Sequence, residues 1–245
     1  MRLTRVHIPE PLTRGSRHTI KGDAANHIAR VLRLAAGDPL TLFDGRGGEH
    51  AARIEALRKG AVVVAVGEFS AHERESPLSL TLAQGVSRGE RMDWVVQKAT
   101  ELGVSRIVPL LTERSVVRLD AKQAERKLEH WRGIAVAACE QSARNRLPDI
   151  APPLGLPDFL RGREKDGGAT RLLLSPTGAL RIGELQALDG GVIALVGPEG
   201  GLAESEQHAA LDAGFIAVRL GPRILRTETA AIAALTLLQQ RFGDL

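Results

Sequence analysis

The sequence predicts a mixed α/β chain: a mostly parallel sheet covered by helices on both faces, preceded by a small barrel of short strands. Two observations lead there. Residues 1–72 read as short strands separated by turns, the texture of a small barrel. After Ser76-Pro77 the rhythm changes to strands alternating with helices, which is how parallel sheets are built. The expected division is therefore 1–72 and 73–245.

In the first region, Leu40–Phe43 runs into the turn signal Asp44-Gly45, and Ala61–Val66 follows Lys59-Gly60. Asp23–Arg33 reads as one short helix with Asp23 as N-cap and Gly37 beyond its end. In the second region the expected strands are Leu78–Gln84, Arg106–Leu110, Arg171–Ser175, Val192–Val196 and Ile216–Leu220. The expected helices are Glu90–Leu102 closed by Gly103, Ala121–Ala143 after the capping residue Asp120, Ala203–Ala213 closed by Gly214, and Glu228–Arg241. Gly155–Gly168, rich in glycine, proline and charge, reads as a surface connection.

Composition narrows the function classes. No stretch approaches the roughly 18 apolar residues of a membrane span, and Met1–Arg5 has no apolar run behind it. The single cysteine, Cys139, excludes an internal disulfide framework and fits a reducing compartment, so a cytoplasmic location is expected. The seven histidines lack metal-ligand spacing, and no metal is expected. The net charge of +4 lies wholly in the first 72 residues, with 11 Lys/Arg against 7 Asp/Glu; the remainder balances at 22 against 22. A polyanion partner for the first region is one reading and a set of solvated arginines the other.

Ligands of parallel sheets bind beyond the C-terminal strand ends, and three strand-end loops stand out there. They are Leu174-Ser175-Pro176-Thr177-Gly178, Val196-Gly197-Pro198-Glu199-Gly200-Gly201-Leu202, and Leu220-Gly221-Pro222-Arg223-Ile224-Leu225-Arg226-Thr227-Glu228-Thr229-Ala230. Glycines let backbone approach a ligand closely, and each following helix starts with unpaired N–H groups. The second loop carries no Gly-Lys-Ser/Thr, and the region lacks Gly-x-Gly-x-x-Gly, which argues against a P-loop and a dinucleotide fold.

The second and third loops, in this order and spacing, resemble the C-terminal motifs of the ribosomal RNA small subunit methyltransferase E family, trefoil-knotted (SPOUT) RNA methyltransferases. Upstream, Ser87-Arg88-Gly89-Glu90-Arg91-Met92, Gln97–Gly103, Glu140–Pro148 and His7–Leu12 are similar as well. The resemblance spans nearly the whole chain, and the run Arg223–Ala230 is highly specific to it. It implies a PUA-like RNA-binding barrel, a knotted α/β domain, a homodimer, S-adenosyl-L-methionine as cofactor, and methylation of uridine N3 in small-subunit ribosomal RNA on the assembled 30S subunit. Rival expectations are a knotted enzyme acting on a ribose 2′-oxygen or another base, and a noncatalytic ribosome-assembly factor.

On this reading Arg223 and Arg226 orient the uridine or its phosphate, and Glu199 and Glu228 accept a proton or position an arginine. Leu174, Ser175, Pro176, Val196, Gly197, Glu199, Gly200, Gly201, Leu220, Gly221, Ile224, Leu225 and Thr229 wrap the cofactor. Arg2, Arg5, Arg14, Arg17, Arg30, Arg33, Arg88, Arg144, Asn145 and Arg146 are the expected RNA contacts. Aromatics are only 3% with no tyrosine, so base stacking is not the main source of affinity. Cys139 reads as a packed thiol rather than a nucleophile.

Overall fold

The computed structural model describes residues 4–162, 168–186 and 190–245. These fall into two compact units: the chain through Glu75 together with Cys139–Leu147, and Ser76–Ala138 together with Pro148–Leu245.

The first unit is a curled five-stranded sheet in the order β1-β3-β4-β5-β2. Its strands are β1 (Arg5–His7), β2 (Arg17–Lys21), β3 (Pro39–Phe43), β4 (Glu49–Arg58) and β5 (Ala61–Ser70). The β4–β5 hairpin is long, and register shifts at His50/Ala52 and Ile54/Ala56 bend it, as bulges do. Alternate residues Val62, Val64 and Val66 of β5 enter a core with Leu40, Leu42, Ile54 and Ile20. The expected helix Asp23–Arg33 is broken in two: α1 (Gly22–Asn26) passes into a π-helical turn, His27–Val31. Lys21, not Asp23, precedes the first turn, and no side chain caps it; Asp23 sits inside that turn, where its charge complements the helix dipole.

The second unit is an eight-stranded sheet. Its strands are β6 (Leu80–Gly85), β7 (Arg106–Leu111), β8 (Asp149–Ile150), β9 (Leu154–Gly155), β10 (Thr170–Leu174), β11 (Leu180–Arg181), β12 (Val192–Val196) and β13 (Ile216–Arg219). The order is β11-β13-β10-β12-β6-β7-β8, with β9 also pairing β7, and every pair is parallel. One face is covered by α2 (Glu90–Glu101), α3 (Ala121–Ser142) and α6 (Thr227–Phe242), whose core includes Leu82, Val95, Trp131 and Leu235. The other face carries α4 (Leu156–Arg161) and α5 (Glu204–Asp212), packed through Leu156, Leu160, Ala210 and Phe215. The start of α3 is fixed by a reciprocal cap: the Gln123 amide donates to Asp120 Oδ1 at 2.8 Å and the Asp120 amide to Gln123 Oε1 at 3.1 Å. The segment expected as a surface connection instead holds β9 and α4, started by Pro157 in the first turn, where its missing N–H costs nothing; residues 163–167 of it lie outside the described residues. No helix of the described residues is long and apolar enough to cross a membrane.

Because all strands run the same way, the C-terminal ends of β6, β12, β10 and β13 share one edge, and the loops leaving them are neighbours. That edge carries the site.

Candidate active site

The backbone at this edge is drawn in tightly by one buried hydrogen-bond relay. Gln84, at the end of β6 and fully buried, donates from Nε2 to Thr227 Oγ1 at 2.9 Å, and Thr227 donates in turn to the Gly197 carbonyl at 2.6 Å. Three elements, β6, the turn after β12 and the first residue of α6, are thereby held together. Gly85 allows it: a Cβ there would lie 2.5 Å from both Pro198 N and Pro198 Cδ. Gly201 serves a different need, a φ of 67° that ordinary residues rarely adopt.

The loops enclose a cavity of about 540 Å³, within the range of small-molecule sites. Leu174, Ser175 and Pro176 line it from the first loop, Val196, Gly197, Glu199, Gly200 and Gly201 from the second, and Leu220, Gly221, Arg223, Ile224, Leu225, Arg226 and Glu228 from the third. Thr229 is not among the lining residues; it falls on the exposed side of the first turn of α6. Arg91, Arg114 and Gln207 also line the cavity and were not expected as site residues. Arg91 is the second residue of α2 and falls inside the Ser87–Met92 run, whose resemblance to the family was the available signal.

Charge in the cavity is arranged around Arg91. Its Nη1 donates to Glu199 Oε1 at 2.9 Å, and its Nε lies 3.9 Å from Glu228 Oε1. Glu199 also accepts the Arg88 amide at 2.9 Å. Burial raises the Glu199 pKa, but the Arg88 amide, its own amide and Arg91 outweigh that and hold it below the ordinary carboxylate value. Glu228 differs: its side chain is 14% exposed, and Oε2 is buried with no hydrogen-bond partner. Arg223 and Arg226 are exposed at the cavity, with no carboxylate in ion-pair range among the described residues. Among the described residues no group of three or more His, Cys, Asp or Glu side chains is placed to hold a metal ion.

The expected RNA contacts divide sharply. Arg30, Arg33 and Arg88 are exposed. Arg14 and Arg17 are exposed but paired with Glu68 and Glu55, and Arg146 with Glu73. Arg5, Arg144 and Asn145 are corrections, because they are buried. The Arg5 side chain, 6% exposed, meets Glu49 and Asn145 Oδ1, donates to the Arg144 carbonyl, and stacks on Phe43. Arg144, 4% exposed, clasps Glu75 through Nε and Nη2, and Asn145 donates to the His72 carbonyl at 2.7 Å. These groups build the first unit and have no free face for a phosphate. Arg2 lies outside the described residues.

A model of the RNA methyltransferase domain matches residues 74–239, and one of the RNA methyltransferase PUA domain matches 20–66. The ribosomal RNA small subunit methyltransferase E of Buchnera aphidicola (from Schizaphis graminum) is 34% identical, covering 100% of this chain and 98% of that one. The protein of the same name from Bacillus subtilis is 33% identical, over 96% and 92% respectively. The crystal structure of the Neisseria gonorrhoeae ribosomal RNA small subunit methyltransferase E, bound to S-adenosyl methionine, superposes with a TM-score of 0.91 at 38% identity over the full length of both chains.

Proposed function

Because the chain belongs to the ribosomal RNA small subunit methyltransferase E family, we propose that it transfers a methyl group from S-adenosyl-L-methionine to N3 of a uridine in small-subunit ribosomal RNA. The observation that carries this is the convergence of three strand-end turns on one cavity, with Arg223, Arg226 and Glu228 in its lining. The Neisseria relative's complex with S-adenosyl methionine supports the cofactor, and the relatives' names support the RNA.

The residues fit such a cofactor. Apolar side chains of Leu174, Val196, Leu202, Leu220 and Leu225 exclude water, and the turn backbones supply donors and acceptors at the cavity. When bound, the cofactor supplies an electrophilic methyl on a sulfonium. Uracil N3 carries a weakly acidic proton, so its lone pair is unavailable until that proton is accepted or the charge on O2 and O4 is stabilised. Glu228, a carboxylate of the cavity lining that Arg91 approaches only to 3.9 Å, accepts it. Glu199 is less suited, because its lowered pKa and its two donors keep it an anion; it holds Arg91 against both carboxylates. Arg223 and Arg226, permanently charged and open at the cavity, orient the uridine or its phosphate.

The proposal includes a homodimer, supported by Ile224, 84% exposed on the third loop, and Leu237, 42% exposed on α6, apolar groups that a second copy would cover. It also includes the knot, supported by the return of the chain after β13, which lies between β11 and β10, to pack α6 on α2 and β12, with residues of the 220–226 segment lining the cavity.

The test is methyl transfer from labelled cofactor to assembled small subunits and to naked ribosomal RNA, with the product nucleoside identified by mass. 3-Methyluridine from assembled subunits is expected; a 2′-O-methyl nucleoside or another base would replace the specificity, and cofactor binding without transfer to either RNA would overturn the reading. Glu228→Gln should lower turnover by about 100-fold or more with cofactor affinity within about twofold. Unchanged turnover would remove Glu228 as proton acceptor.

A further inference from the structure

Outside the cavity, the second unit carries a second concavity whose chemistry is different. Arg118, Leu119, Gln123, Arg126, Lys127 and His130 line a pocket of about 400 Å³ where the chain enters α3. Arg118, Arg126 and Lys127 have no carboxylate within ion-pair distance among the described residues. Of the nearby acids, Glu129 holds Arg132 at 2.6 Å, and Asp93 accepts from His130 Nε2 at 2.9 Å and Trp131 Nε1 at 3.1 Å. Arg118 is steadied by the Glu113 carbonyl at 3.4 Å. Gln123 Oε1 is taken by the Asp120 amide, which leaves its NH₂ group as a donor.

We infer that this pocket binds backbone phosphates of the RNA substrate, an assignment that rests on the reading of the chain as an RNA methyltransferase. Three uncompensated cations in one concavity repel each other, and a polyanion relieves that repulsion while releasing its own counterions. The free donors of α3, Gln123, Arg126 and Lys127, fall on one helical face and span about 6 Å along the axis, room for more than a single phosphate oxygen. The charge balance of residues 73–245 conceals this pocket, because acidic residues elsewhere cancel it in the count. The first unit, which holds all the excess charge, buries Arg5 and Arg144 and pairs Arg14 and Arg17 with carboxylates. The catalytic unit therefore contributes its own grip on the RNA.

The side chains of Arg126 and Lys127 face solvent or the half-buried rim, so their replacement leaves the core intact. The experiment compares full-length wild type with Arg126→Gln/Lys127→Gln, titrating a fluorescein-labelled single-stranded RNA oligonucleotide at several KCl concentrations. Cofactor affinity, read by calorimetry, reports the neighbouring site. The expected result is an RNA Kd raised about tenfold, a log Kd against log salt slope smaller by about 1 to 2, and unchanged cofactor affinity. Wild-type RNA affinity and slope in the double variant would overturn the pocket while leaving the methyltransferase reading intact. Failure of the wild type itself to bind RNA while binding cofactor would overturn both. Full displacement of the pocket's contribution by inorganic phosphate at constant ionic strength would mark a free-anion site and overturn the RNA assignment.

Discussion

Glu140 shows how one side chain can carry a pH-dependent strain. Its Oε1 accepts the His7 amide at 3.0 Å, yet burial raises its pKa, offset only in part by that amide, His27 and Arg5. A carboxyl whose folded pKa lies above the unfolded value adds stability below the ordinary carboxylate range and loses it as pH rises through the folded pKa. Glu140→Gln, which keeps an acceptor for His7, should therefore raise Tm at pH 7 by on the order of 2 °C, and the gain should vanish near pH 4, where the native carboxyl is already protonated. Thermal melts at both pH values check this; an equal gain at both would point to packing instead of charge. Next to it, burial pushes the Cys139 thiol up to about 12, and its Sγ donates to the Arg146 carbonyl, which fits the packed thiol expected from its apolar helix. Residue type alone was a poor guide for the arginines. Nothing local distinguishes Arg144, which clasps Glu75 across 69 positions, from Arg30, which faces solvent.

At the level of elements, legibility tracked burial. β12 was readable to the residue, and β6, β7, β10 and β13 to within two, because each is a compact apolar run closed by turn chemistry. β2 and β4 left no such trace: Arg-His-Thr-Ile-Lys buries only Ile20, and the ten residues of β4 bury only Ala52 and Ile54. Their strand character comes from partners across the sheet. The glycines of the second loop were expected to admit a ligand, whereas a closer approach between chain segments at this edge lies at Gly85, a residue the sequence did not mark. Gly85→Ala should force the end of β6 from the 197–198 turn, costing about 1–3 kcal/mol and weakening cofactor binding; denaturant titration and calorimetry measure the two effects. Retained affinity at lowered stability would show that the turn repositions without distorting the cavity.

For the molecule as a whole, the cavity was readable in outline because a parallel sheet brings all strand exits to one edge, so loops far apart in sequence had to meet. Arg91 was not, since it reaches the cavity from a helix and its two carboxylate partners lie 108 and 137 positions away. The composition of the first unit was likewise hidden, because its final pieces, Cys139–Leu147, follow the first half of the other unit. A fragment ending at Glu75 would strip Glu75 of Arg144, breaking a largely buried ion pair at a cost of about 3–5 kcal/mol, and would remove Asn145 from Arg5, which keeps Glu49. Expressed alone it should lack a cooperative melting transition, whereas covalent addition of Cys139–Leu147 through a flexible linker should restore one. A well-folded Glu75-terminated fragment would contradict this.

That interleaving also bears on synthesis. The amino-terminal sheet emerges from the ribosome first but must wait about seventy further residues for the arginine and asparagine that complete it, several seconds at ordinary elongation rates. During that interval Glu75 and Glu73 stand without Arg144 and Arg146, and premature termination anywhere in α3 leaves both units incomplete.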